Sequence, residues 1–222
     1  MNSTAGGCAL NKLKARFFDL WKRCSSDQDR ADSRVVWATL TESYNEPWRH
    51  YHTAEHLCHC MHQLDLVWSL LEDPAAVELA LWFHDIVLQP DGTDNEQKSA
   101  DRFQQAAGQH FPADFIENVI GLILATVHDK APRQQDARYL CDIDLSSLGS
   151  PWKQFLTDST AVRTELSATS DEMFYAAKVR FFNALLDRPT IFFTDFFQSR
   201  YERSARNNIQ RYIVQIEADG HA

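Results

Sequence analysis

Five of the chain's nine histidines fall within RHYHTAEHLCHCMH, residues 49–62: His50, His52, His56, His59 and His62. Imidazole can ligate a metal, move a proton near neutral pH, or line a wetted helix face. A His-Asp doublet, His84-Asp85, interrupts ALWFHDIVL, the most apolar stretch of the chain. Burying a carboxylate is costly unless it is paired or metal-bound. A buried structural His–Asp pair is the plain alternative to a metal site. His128 ends the i, i+4 row Ile116, Ile120, Leu124. Asp144 is spaced by four from Leu140 and Leu148, which sets it inside an apolar stripe. Asp142 points roughly 130° from that stripe's centre and reads as a capping or supporting acceptor. Of the two carboxylates, periodicity selects Asp144 as the inward one.

The elements that must position these residues are helices. Apolar periodicity near 3.6 predicts helices at about 9–24, 31–44, from near His52 to Leu71, 73–88, 96–109, 112–128, 136–148, 151–166, 171–187 and 194–216. Period-two alternation is scarce, so strands are expected to be few or absent. The fold class expected is all-α: one domain over 1–222, with a metal-site core at about 48–150 and C-terminal helices 151–216 packed on it. The helix at 73–88 opens on Asp73-Pro74, a cap followed by proline at the first helical position, and its all-round apolarity suits the centre of a bundle. Treated as one helix, the histidine-rich stretch carries a stripe of Leu57, Cys60, Met61, Leu64, Val67, Trp68 and Leu71. His56 then lies roughly 70° from the stripe's centre and His52 roughly 110°, two imidazoles on adjacent turns of one flank. His59 and His62 face solvent on this reading, and His50 precedes the helix. A separate zinc site from Cys58, His59, Cys60 and His62 lacks the two-residue gap of common zinc modules, and a solvated face is the simpler reading.

The bulk properties narrow the chemistry further. The chain has 222 residues, 44% hydrophobic and 24% charged, which describes a globular protein with a sizeable core. A formal net charge of -9 argues against coating nucleic acid through a basic surface. Small anions remain accessible if a metal supplies local positive charge. Five cysteines without framework spacing read as thiols of a reducing compartment. No apolar run suits a signal peptide or a membrane span, so a cytoplasmic location is expected. The inward set of His56, His84, Asp85, His128 and Asp144 mixes imidazole and carboxylate, which suits Zn, Mn, Fe, Co or Ni better than Ca.

In this order and helical context, the residues resemble the HD superfamily of metal-dependent phosphohydrolases. YHTAEH (51–56) looks like the Tyr-His-Asn-x-x-His segment of cyclic-nucleotide phosphodiesterases, with Thr53 in place of Asn, and DIDLSSL (142–148) is similar to the segment carrying their last ligand. A closer match is a group of bacterial proteins described as predicted metal-dependent HD-superfamily hydrolases. The matching segments are RHYHTAEH, ALWFHDIVL, DNEQKSA (94–100), DIDLSSLG and ERSARNN (202–208). The resemblance implies His56, His84, Asp85 and Asp144 as ligands of one divalent ion, drawn from Mn, Zn, Fe, Co, Ni or Mg. It puts His52 in the place of a general acid, and His128 where some two-metal members have an additional ligand.

The activity implied is hydrolysis of a phosphomonoester or phosphodiester, with a small nucleotide-like substrate as partner and a homodimer left open. Catalytic candidates are His52, Asp85 and Glu96, the last as the acidic residue that HD phosphohydrolases place soon after the doublet. Lys98, Arg206 and His128 are candidates for substrate binding. Against these stand plainer roles: Asp94 and Glu96 as a helix start, and Arg206 as a cap in a salt bridge with Glu202. Two other classes fit the same residues, an HD-type di-iron oxygenase and a non-catalytic HD domain that holds a metal or ligand.

Overall fold

The computed structural model describes residues 3–25, 30–90, 92–108 and 110–221. Among these residues every regular element is helical, as the periodicity requires. The chain divides into two compact units, Met1–Leu140 and Cys141–Ala222.

The first unit contains α1 (Ser3–Cys24), α2 (Arg30–Tyr44), α3 (Ala54–Val67), α4 (Pro74–Phe83), α5 (Asn95–Ala107) and α6 (Ala113–Ala125). α4 packs against α1, α3, α5 and α6, and every residue from Ala76 to Phe83 is buried. Asp73 caps it by accepting from the Ala76 amide at 3.0 Å, with Pro74 in the first turn, as its sequence predicts. The one acidic side chain within it, Glu78, is met by a bidentate Arg16 at 2.7 and 3.1 Å. Aromatic rings fill the surrounding core. Phe17 meets Trp82 edge-on at 5.2 Å, Phe83 meets Phe103 at 5.1 Å and Trp21 lies 4.7 Å from Phe111. Such pairs contribute about 0.5–1.5 kcal/mol each beyond their area.

At three of the helix boundaries that differ from those expected, the difference moves a site residue. α3 starts at Ala54, because Thr53 is extended and its hydroxyl accepts from the Glu55 amide. His52 therefore precedes the helix. α4 stops at Phe83, so His84 and Asp85 form the turn that ends it, where an unbroken helix to 88 was expected. α6 stops at Ala125, and His128 sits two residues beyond Thr126 with a left-handed φ of 58°.

α7 (Gln135–Leu145) runs through the division between the units. Its first turn is fixed within the first unit. Asp136 accepts from the Glu72 and Asp73 amides at 2.8 and 2.7 Å, and Gln135 donates to the Leu70 carbonyl at 2.9 Å. Beyond a 3₁₀ turn at Ser146–Gly149, the second unit contains α8 (Trp152–Glu165), α9 (Asp171–Leu186), the short α10 (Asp195–Phe197), a π-helical turn at Gln198–Glu202 and α11 (Arg203–Ala218). Phe155, Phe182 and Tyr212 form its aromatic core, with Tyr212 edge-on to both rings. Gly149 lies so close to Tyr201 that a Cβ there would stand 2.7 Å from the tyrosine Cβ.

Candidate metal centre

The turn after α4 is shaped by a residue outside the chemical motifs. Arg49 is buried and donates to the carbonyls of Asp85 at 2.6 Å, Ile86 at 3.0 Å and His52 at 3.3 Å. Its Nε pairs with Glu46 at 2.8 Å, and its guanidinium lies 5.5 and 5.4 Å from the rings of Tyr44 and Trp48. A helix leaves its last carbonyls without intrahelical partners. The guanidinium fork captures two carbonyls that continued helix would have used, which explains why α4 ends where it does. The same fork ties the segment carrying His52 to the turn carrying Asp85.

Within that frame the imidazoles and a carboxylate converge. His84 Nδ1 stands 2.9 Å from the Leu81 carbonyl oxygen, an acceptor, so the proton belongs on Nδ1. Nε2 lies 3.0 Å from the Asp85 carboxylate. Two acceptors at that distance require a positive charge, either a second ring proton or a metal ion. His56 Nε2 lies 3.6 Å from the same carboxylate oxygen, and the His56 and His84 ring centroids are 5.6 Å apart. Burial alone would raise the Asp85 carboxyl. The charges of His84, His52 and His56 and the His84 hydrogen bond outweigh it and hold the group well below the usual carboxylate range. A backbone-oriented imidazole with its other nitrogen turned inward is the arrangement that metal-binding histidines use.

Within the first unit His56, Cys60 and His84 each offer one ligand atom, and these atoms all lie within 4.8 Å of one another. The donor set fits a transition ion and could hold one. Asp144 stands on the last turn of α7, in the second unit. Cys60 enters from α3, with its Sγ 3.6 Å from His56 Nε2. Periodicity alone makes Cys60 a stripe residue and assigns the chemistry of its neighbours to a solvated face. It is fully buried, while Cys58 and His59 are half-buried and His62 is exposed. The i, i+4 pair of this helix is therefore His56 with Cys60. His52, although off the helix, still meets His56, with ring centroids 5.9 Å apart.

The burial ranking of the two α7 carboxylates is the reverse of that expected. Asp142 is completely buried and Asp144 is half-buried. Asp142 accepts from the Phe193 amide at 2.7 Å, the Thr194 amide at 2.8 Å and the Thr194 hydroxyl at 2.6 Å, which is the supporting role assigned to it. A single apolar stripe cannot register that both flanks of a helix are covered.

Glu96 occupies the first turn of α5. Lys98 bonds Gln89 Oε1 at 2.7 Å and Asp94 at 2.8 Å. Asp94 holds the N-cap position without a side-chain cap bond. α5 itself is joined to the segment after the doublet, where the Ser99 hydroxyl accepts from the Val87 amide at 3.2 Å. His128 is not among the donors that converge with His56 and His84. Arg206 bonds Glu202 at 2.6 Å and the carbonyls of Leu186, Arg188 and Pro189 at 3.0, 2.8 and 3.1 Å, the capping alternative in the second unit. No helix among the described residues is long and apolar enough to cross a membrane. No family model, curated protein or solved structure matches the chain.

Proposed function

We propose that the protein is a metal-dependent phosphohydrolase of the HD type, acting on a phosphomonoester or phosphodiester of a small, nucleotide-like molecule. The observation that carries this reading is the His84–Asp85 turn. A backbone-fixed imidazole there faces a carboxylate at 3.0 Å, with a second imidazole beside them, in an arrangement that calls for a cation. His56, His84 and Asp85 would hold the ion, with Asp144 as the further ligand that the resemblance implies. The bound ion supplies Lewis acidity, lowering the pKa of a water and offsetting charge on the phosphoryl group.

The chain's own residues divide the remaining work. Asp85 accepts a hydrogen bond from the attacking water and orients it. His52 stands outside the helix next to His56 and would carry a proton to the leaving oxygen. Arg49 keeps these two groups in register, since one guanidinium holds the carbonyls of both His52 and Asp85. With a net charge of -9, the surface offers an anionic substrate little general attraction, so the ion must be the main local attractor.

The test is metal analysis of the purified chain together with phosphate release across a nucleotide panel. About one ion per chain is expected, with His84→Ala losing both the ion and the activity. Full metal content in His84→Ala would remove the site assignment. An ion-loaded chain that releases no phosphate from any substrate would remove the hydrolase reading.

A further inference from the structure

We propose that Cys60 is a thiolate ligand of the ion held by His56 and His84, and that its sulfur selects zinc, ferrous iron or cobalt over magnesium and calcium. The inference rests on the metal reading above and adds the class of ion. Residues i and i+4 share a face, so two ligating side chains at that spacing can converge on one point. Thr53 caps α3, which removes His52 from the helix and leaves His56 and Cys60 as the ligating pair.

The distances agree with that role. Zinc–nitrogen and zinc–sulfur bonds of about 2.05 and 2.3 Å in a tetrahedron separate the two donors by about 3.6 Å. The observed separation of His56 Nε2 from Cys60 Sγ is 3.6 Å. Cys60 has no exposed surface, and its sulfur lies within 4.8 Å of the ligand atom that His84 offers. A thiolate is a soft donor that magnesium and calcium do not favour, while zinc, cobalt and iron accept it. Ligation exchanges the thiol proton for the ion: Cys–SH and M²⁺ give Cys–S⁻–M²⁺ and one released proton.

Cobalt(II) added to chelator-treated full-length protein reads this contact directly. A cobalt–thiolate bond adds a sulfur-to-metal charge-transfer band in the near ultraviolet, separate from the weaker visible bands of the bound ion. The band is expected in the parent protein, in excess magnesium as well, and in a variant with Cys8, Cys24, Cys58 and Cys141 replaced by Ala. It is expected to disappear in Cys60→Ser while the visible bands remain. Bound cobalt without the charge-transfer band in the parent overturns the thiolate assignment and leaves the metal site standing. Persistence of the band in Cys60→Ser overturns it too. Absence of any cobalt uptake by the parent overturns the assignment together with the metal reading beneath it. Should Cys60→Ser fail to fold, the variant retaining only Cys60 still decides the case.

Discussion

Two irregular segments of the molecule are each held by buried or half-buried charged side chains, yet only one has the makings of a reactive site. In the first unit, the turn at His84–Ile86 is clamped by Arg49 through the Asp85 and Ile86 carbonyls. In the second, the connection at 186–194 is held by three side chains. Glu202 accepts from the Ile191 and Phe192 amides, Asp142 from those of Phe193 and Thr194, and Arg206 donates to the Leu186, Arg188 and Pro189 carbonyls. Both satisfy the demand that buried backbone groups and charges find partners. The difference lies in what the charges face. Asp142, Glu202 and Arg206 face backbone groups or each other, which uses their bonding capacity locally. His84, His56 and Asp85 face one another and hold donor atoms in common. Buried charge by itself does not mark chemistry, whereas buried titratable groups converging on one another do.

Substitutions can break this contrast, and the largest effect is expected at Arg49. Arg49→Ala leaves buried carbonyls without a donor and removes packing against Tyr44 and Trp48. A loss of about 4 kcal/mol in urea unfolding is expected, with reduced metal retention in whatever remains folded. Unchanged metal content would show that the turn keeps its form without the clamp. Next comes Asp142→Ala, which strands two amides and a hydroxyl and should cost about 3 kcal/mol. Metal content per folded chain should stay at the parent value, and a fall would mean that the two segments are not as separate in role as their bonding suggests.

Zinc should act on one segment alone. At a free concentration 100 times its Kd it should add about 2.7 kcal/mol of stability, seen as a rise in Tm that chelator reverses. His84→Ala should abolish that rise and Glu202→Gln should preserve it. Glu202→Gln itself is expected to cost about 1–2 kcal/mol in urea unfolding, since a neutral amide oxygen is a weaker acceptor for the same amides. The smallest effect belongs to Lys98→Ala. Its partially exposed pair with Asp94 is worth less than about 1 kcal/mol. A role in holding phosphate would appear as a raised KM with stability little changed, and an unchanged KM would confine Lys98 to its contacts with Gln89 and Asp94.

The all-helical class, the apolar centre at α4 and the Asp73-Pro74 start were legible because each depends on local spacing and local bonding. A helix buried on every side must be apolar on every side, and an aspartate before a proline caps the helix that the proline begins. The burial of His56 and His84 was also legible, the first from the border of its stripe and the second from the apolar run around it. Arg49 and Cys60 were not. Arg49 acts on carbonyls 36 and 37 residues away, a pairing that no periodicity encodes. Cys60 looks like an ordinary small core residue until a capping Thr53 fixes where its helix begins.

The sequence by itself therefore determined which residue types could meet on helices and what ions and protons such types can handle. Only the tertiary structure decided which atoms do meet: the Asp85 turn bent by a distant guanidinium, the sulfur beside His56, and the burial of Asp142 above Asp144. The physical reason is range. Helix propensity and capping act over about one turn and are written in neighbouring residues. The orientation of a buried donor is set by partners that the chain brings together only after it has folded.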